Sequence, residues 1–249
     1  MRLIGGMASI QRRESSLALA VKSLAPQLDS FFIYLNDYEE VPKWLLSFKN
    51  VTPILSKDAQ GDLGDSGKFY KLYQHHGEEV YFFTVDDDII YPSNYVSNSV
   101  LGLKRYEGQA LCSYHGRVFQ DDVLPLRGYF KNSLQKQKLL HFNADVLTDE
   151  SVHFGGTGVM CFDLRYINIP SEIFNKEKNA ADIFIGVHCQ LKKIPIIVLA
   201  HRRHWLIPSP IESVQASIFG VASIQDSPVS IINRELCGYI NKLDLFIKP

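Results

Sequence analysis

The stretch Val80-Tyr81-Phe82-Phe83-Thr84-Val85-Asp86-Asp87-Asp88 decides the fold. Its first six residues are apolar, aromatic or β-branched, without the alternation of a half-wet strand. The run therefore reads as a strand buried on both faces, near the middle of a sheet. It passes directly into three aspartates. In open α/β sheets ligands bind outside the carboxyl ends of the strands, so the acidic cluster stands where a site is expected.

Outward from this strand, apolar runs of strand length alternate with amphipathic stretches of helix length, the pattern of βα units around a sheet. Upstream, Leu3 to Ser9 reads as a strand and Glu14 to Leu24 as a helix with Leu17, Val21 and Leu24 on one face, closed by Pro26. Phe31 to Leu35 and Val51 to Leu55 read as strands, and Lys68 to His76 as a helix. Downstream, Pro92 opens a helix to about Tyr106 and Ala110 to Tyr114 is a strand. From Gly116 to Leu140 the periodicity is lost, which predicts a long surface segment beside the site. Then come Gly155-Gly156-Thr157-Gly158, a strand from Val159 to Phe162, a helix from Ala181 to Leu191 and a strand from Ile194 to Leu199.

The expected fold is α/β: one domain over residues 1–208, with a mainly parallel central sheet flanked by helices, and a helical extension over 209–249. From Ser230 onward, Ile232, Leu236, Ile240, Leu243 and Ile247 make one apolar stripe at helical spacing. With few basic residues along it, the stripe reads as packing on the domain. The alternative is a face that lies on a membrane or a partner.

The chain has 249 residues, 46% hydrophobic and 21% charged, enough for one sizeable core and unlike a disordered chain. A formal net charge of -1 offers no field for nucleic acid, so a bound anion must be held by local groups. The four cysteines stand far apart, with no spacing suited to zinc, which fits reduced thiols in a cytoplasm. The N-terminus lacks the apolar region of a signal peptide, and there is no run of about eighteen apolar residues. The expected location is cytoplasmic, with peripheral contact at the inner face of the membrane left open.

Three adjacent carboxylates at the end of a buried strand repel one another unless something positive joins them. A divalent cation is the simplest answer, since Mg²⁺ and Mn²⁺ take one or two carboxylates and fill their remaining positions with phosphate and water. The competing reading is a solvated acidic turn or helix cap before Pro92.

Thr84-Val85-Asp86-Asp87-Asp88-Ile89-Ile90-Tyr91-Pro92-Ser93-Asn94-Tyr95 resembles the DXD segment of GT-A glycosyltransferases, especially the inverting family 2-like bacterial enzymes. Other segments agree in order over about residues 3 to 206. Ala8-Ser9-Ile10-Gln11-Arg12-Arg13-Glu14, followed by Val21-Lys22-Ser23-Leu24, resembles their first strand and helix. Gly61-Asp62-Leu63-Gly64-Asp65-Ser66-Gly67-Lys68-Phe69 resembles a loop that helps close over the nucleotide. Gly155-Gly156-Thr157-Gly158 resembles the acceptor-side loop, and Ala181-Asp182-Ile183-Phe184-Ile185-Gly186 the segment carrying the catalytic base.

The resemblance implies a metal-dependent transfer, with inversion, from a nucleotide-diphosphate sugar, by analogy a UDP-sugar, to a hydroxyl of a glycan or glycolipid acceptor. It implies Asp88 and Asp86 as ligands of Mn²⁺ or Mg²⁺, with Asp86 also near the ribose and Asp87 the less critical middle carboxylate. Ala8, Ser9, Asn36, Asp37 and Lys68 would face the donor nucleotide, and Asp87, Gly156 and Thr157 would also bind the donor. Of His201-Arg202-Arg203-His204-Trp205, His201 is preferred as a further metal ligand. Asn36-Asp37 also reads as an ordinary turn, and Lys68 as a solvated lysine.

Asp182 would be the base, and its competing role is a cap or first-turn carboxylate of its own helix. The family usually has two acids here, whereas this chain has Ala181-Asp182. Two rivals stand beside this reading. A sugar nucleotidyltransferase usually opens with a basic, Gly-rich phosphate loop, which Gly5-Gly6-Met7-Ala8-Ser9 does not supply. A catalytically inactive carbohydrate-binding or scaffold protein is supported by Ala181.

Overall fold

The computed structural model describes residues 1–120, 122–126, 137–174, 177–211 and 228–246. The chain opens with β1 (Arg2–Ser9), α1 (Glu14–Leu24), β2 (Ser30–Leu35) and β3 (Val51–Leu55). β4 (Val80–Asp86), β5 (Ile89–Ile90), α2 (Tyr95–Arg105), β6 (Leu111–Ser113), β7 (Gly116–Phe119) and β8 (Gln137–Leu140) follow. The remainder holds β9 (Glu150–Val152), β10 (Phe154–Gly155), β11 (Val159–Asp163) and α3 (Ala181–Lys192). It closes with β12 (Ile196–Val198), β13 (Ile207–Pro208) and α4 (Pro228–Leu236).

Eight strands form the central sheet in the order β3-β2-β1-β4-β11-β6-β12-β9. β4 lies inside it, and Val80 to Val85 are all buried, as their unbroken apolar character requires. Alternate residues serve opposite faces. Tyr81, Phe83 and Val85 pack in the core under α1 and α2, whereas Val80 and Phe82 pack with Phe69, Ile185 and Cys189 on the other side. The fold is thus α/β, with a large, mostly parallel sheet flanked by helices.

β1 to β4 pair in parallel, as do β6 and β12, but β11 runs antiparallel between β4 and β6. β9 is antiparallel to β12 at the edge. Hydrophobic period carries no strand direction, so this reversal was not legible in the sequence. It has a direct consequence: Val159, where β11 begins, lies opposite Val85, where β4 ends. The glycine-rich segment before β11 therefore meets the aspartates after β4.

Several expected elements are corrected. The helix expected over Lys68–His76 is two short 3-10 turns, Gly64–Phe69 and Leu72–His75. The first is pressed flat on β1, where a Cβ on Gly6 would lie 2.0 Å from the Lys68 carbonyl oxygen. This close approach leaves no room for an α-helix cylinder. The helix after Pro92 begins only at Tyr95. Within the segment expected as loop, β7 and β8 pair antiparallel, and with β10 they form a three-stranded sheet. These strands are too short to show alternation, and residues 127–136 lie outside the described residues.

The C-terminal stripe is core. Ile232 and Leu236 on α4, and Leu243 beyond it, are buried with Ile183, Phe184 and Val187 of α3, while Ile240 is half-buried. Burial of each such side chain contributes about 1.5–3 kcal/mol. The helix stops at Leu236, short of the stripe, and Ile247 lies outside the described residues. Among the described residues no helix is long and apolar enough to cross a membrane.

Candidate active site

The three aspartates meet resident cations. Asp86 forms an ion pair with the buried Lys68. Asp87, 2% exposed, accepts from Ser9 Oγ at 2.6 Å and from Arg13 Nη1 at 3.0 Å. Arg13 Nη1 also lies 3.2 Å from Asp88 Oδ2. The repulsion expected of the triplet is thus relieved by Arg13 and Lys68. Burial pushes the Asp87 carboxyl up, against the pull of Arg13 and Ser9. The middle aspartate, expected to matter least, anchors the turn to β1 and to the segment before α1.

Lys68 is not a solvated lysine. Burial alone would lower its ammonium, yet Asp86, Asp65 and Asp182 around it hold its pKa above the usual lysine range, so it stays charged. Its Nζ lies 3.5 Å from Thr157 Oγ1. Thr157 in turn donates to Asp182 Oδ1 from its hydroxyl at 2.5 Å and from its backbone N–H at 2.8 Å. A polar chain Asp86–Lys68–Thr157–Asp182 therefore crosses the floor of the site.

Two features set Asp86 against the glycine-rich segment. The buried Tyr91 hydroxyl accepts from the Asp86 N–H at 2.8 Å and donates to the Gly158 carbonyl at 2.7 Å. A Cβ on Gly158 would lie 2.0 Å from Asp86 Oδ2, so any side chain there would displace the Asp86 carboxylate. Ala8, one residue before the end of β1, is in register with Asp86.

Asp182 sits in the first turn of α3 but does not cap it. The cap residue is Ala180, without a side-chain bond, and the Ala181 N–H is taken by Asp65 Oδ2 at 3.0 Å. The side chain of Asn36 holds a turn: Nδ2 donates to the Gly64 carbonyl and Oδ1 accepts from the Leu63 N–H, both at 3.0 Å. Asn36 thus braces a neighbouring turn while lining the cavity.

Ala8, Ser9, Asn36, Lys68, Gly156, Thr157, Asp182 and all three aspartates line one cavity of about 490 Å³. Asp37 and His201 are not among its lining residues. Asp37 is exposed and accepts from the Gln11 N–H at 2.6 Å. His201 is buried, bonds through Nδ1 to the Leu199 carbonyl at 2.7 Å, packs edge-on to Tyr114 and lines another cavity with Trp205. It is not brought to the aspartates.

The cavity also holds residues that sequence reasoning passed over: Arg12, Arg13, Asp65, His115 and Arg117. Burial pushes the His115 imidazole down to about 3, helped by Arg117, His141 and His201, so it is neutral. Burial lowers the Arg117 guanidinium, and Asp182 opposes this. Arg13 and Asp65 stood inside quoted motifs; His115 and Arg117 carried no signal in spacing.

Among the described residues no group of three or more His, Cys, Asp and Glu could hold a metal ion. Asp86 and Asp88 nevertheless share the cavity, with side chains 38% and 23% exposed. This donor set fits a hard divalent cation that completes its shell with a ligand's phosphates and water. It does not fit a cage made by protein alone. No family model matches the chain, and no curated protein matches it.

Proposed function

We propose that this chain is a GT-A-type glycosyltransferase that moves a sugar, with inversion, from a nucleotide-diphosphate sugar to an acceptor hydroxyl. The observation that carries this reading is the single cavity where Asp182 and the Asp86–Asp88 turn meet, bridged by Lys68 and Thr157. A base and a diphosphate-neutralising end must flank one sugar carbon, and this arrangement supplies both. The choice of a UDP-sugar and of a glycan or glycolipid acceptor rests on the family resemblance.

In this mechanism Asp182 takes the proton of the acceptor hydroxyl. The acceptor oxygen forms its bond to C1 of the sugar from the face opposite the diphosphate. The C1–O bond to the diphosphate breaks as the new bond forms, and its electron pair leaves with the nucleotide. Attack from the opposite face inverts C1. The two Thr157 donors orient Asp182, while Lys68, Arg12 and Arg13 hold positive charge at the nucleotide end. Asp86 and Asp88 would hold Mn²⁺ or Mg²⁺, which when bound neutralises charge growing on the departing diphosphate.

Thermal denaturation with a set of nucleotide sugars, each with Mn²⁺ and with chelator, tests the proposal, because a ligand that binds only the native state raises its melting temperature. The expected outcome is a rise for one UDP-sugar that depends on the metal. No shift with any nucleotide sugar in either condition contradicts it.

A further inference from the structure

Asp65 belongs to neither the aspartate triplet nor the base, yet it joins the two halves of the cavity. It lies in the turn Gly64–Phe69, 116 residues before the helix it touches. Its Oδ2 accepts from the N–H of Ala181, the first residue of α3, at 3.0 Å, and its own N–H donates to Asn179 Oδ1 at 3.2 Å. Nearby, Lys178 pairs with Asp62 at 2.8 Å. The other side of the same turn is held by Asn36 and, through the Lys68 ion pair, by Asp86.

The local backbone is shaped for this contact. Gly64 has φ +57°, and a Cβ there would lie 2.5 Å from Asn179 Oδ1. Asn179 itself has φ 59°, in the left-handed region that asparagine tolerates better than most residues. The first N–H groups of a helix have no partner within it, and Ala180 brings no side-chain oxygen. A carboxylate from a distant loop therefore does the work of a local cap. Asp182 is the next residue along.

We infer that Asp65 is a positioning residue: by anchoring the first turn of α3 at Ala181, it fixes the Asp182 carboxylate against Thr157 and ties it to the donor-side turn. The inference rests on the reading of Asp182 as the base. Asp65 touches no reacting atom and acts through the helix. Asparagine keeps an oxygen that can accept from Ala181, whereas alanine does not, so the two substitutions separate anchoring from charge.

The test compares the intact chain with Asp65→Asn, Asp65→Ala and Asn179→Ala. Amide hydrogen exchange over residues 178–190 is read without ligand. Hydrolysis of UDP-glucose, UDP-galactose and UDP-N-acetylglucosamine with Mn²⁺ is read alongside. Since small misplacements of reacting groups cost up to about a hundredfold, Asp65→Ala is expected to lower kcat about tenfold or more, with donor KM within about twofold. Exchange at the start of α3 should quicken in Asp65→Ala and, less strongly, in Asn179→Ala, while Asp65→Asn stays near the parent in both readouts. Unchanged exchange in Asp65→Ala overturns the inference, as does an equal loss in Asp65→Asn and Asp65→Ala. If the parent hydrolyses neither these donors nor any other nucleotide sugar while exchange responds as expected, the anchoring stands and the reading of Asp182 as base falls.

Discussion

Thr157 places two donors on one oxygen of Asp182, its hydroxyl at 2.5 Å and its backbone N–H at 2.8 Å. Two donors on Oδ1 fix the plane of the carboxylate, and under the proposed mechanism the second oxygen is the one that would receive a proton. Thr157→Val removes the hydroxyl and leaves the N–H. The expected result is a fall in kcat of about tenfold with donor KM unchanged, together with a stability loss of about 0.5–1.5 kcal/mol for the lost hydrogen bond to an exposed carboxylate. Steady-state donor hydrolysis and urea unfolding check this; an unchanged kcat would show that the hydroxyl does not orient the base.

Lys68 is the buried cation among Asp65, Asp86 and Asp182. Lys68→Met keeps the side chain's length but leaves those acids without their central counter-charge. Lys68 is buried but the Asp86 side chain is 38% exposed, so the cost falls below the about 3–5 kcal/mol of a fully buried pair, at about 1–3 kcal/mol. Urea unfolding at neutral pH should show a loss of that size. A loss under about 1 kcal/mol would mean that the ion pair is not what holds the floor of the cavity together.

Acid should destabilise the fold. His115 and His153 are pushed down to about 3 and about 4, in each case chiefly by burial, with Asp122 and Asp244 opposing at His153. The unfolded chain takes up these protons near the ordinary histidine value of about 6.5 and the native state does not, so stability falls as pH drops below that value and keeps falling towards the folded values. Asp65 acts in the opposite sense. Burial raises it to about 6, with Asp182 and Asp86 adding to this and Lys68 and the Ala181 N–H opposing, so it favours the native state as pH falls from neutrality. His115 and His153 each cost about 1 kcal/mol between pH 7 and 5.5 and Asp65 returns just under that, for a net loss of about 1–2 kcal/mol from these three groups; His76, His141 and His188, also pushed down chiefly by burial, add to the loss, and Asp87, pushed up by burial, opposes it. Urea midpoints at the two pH values measure it, and His115→Asn should remove about 1 kcal/mol of the loss; a midpoint that rises on acidification contradicts the assignment.

Much of the site was legible because its residues cluster at the ends of strands that announce themselves. The unbroken run Val80–Val85 gave β4, the strand-end rule gave Asp86, Asp87 and Asp88, and Ala8 and Ser9 came from the family resemblance. What stayed hidden is what three-dimensional closure adds. That β11 runs backwards is invisible to a hydrophobic pattern, so the meeting of Gly158 with Asp86 could not be derived from spacing. The Lys68 segment has the composition of a helix but is flattened by its contact with Gly6. Arg13 looked like one more basic residue until the structure brought it to Asp87 and Asp88. The charge argument asked for something positive beside the triplet and named a divalent cation; it did not foresee that the chain carries two cations of its own there.

The central claim, that Asp182 is the base of a sugar transfer, is tested most directly by one paired measurement. The parent chain and Asp182→Asn are incubated with UDP-sugars and Mn²⁺, and release of UDP is followed together with donor affinity by calorimetry. Asparagine keeps an oxygen for Thr157 but cannot take a proton, and general-base contributions are typically about 10²- to 10⁴-fold. The account predicts donor affinity near that of the parent and a turnover lower by a factor in that range. Parent-like turnover in Asp182→Asn, at equal donor affinity, would contradict it.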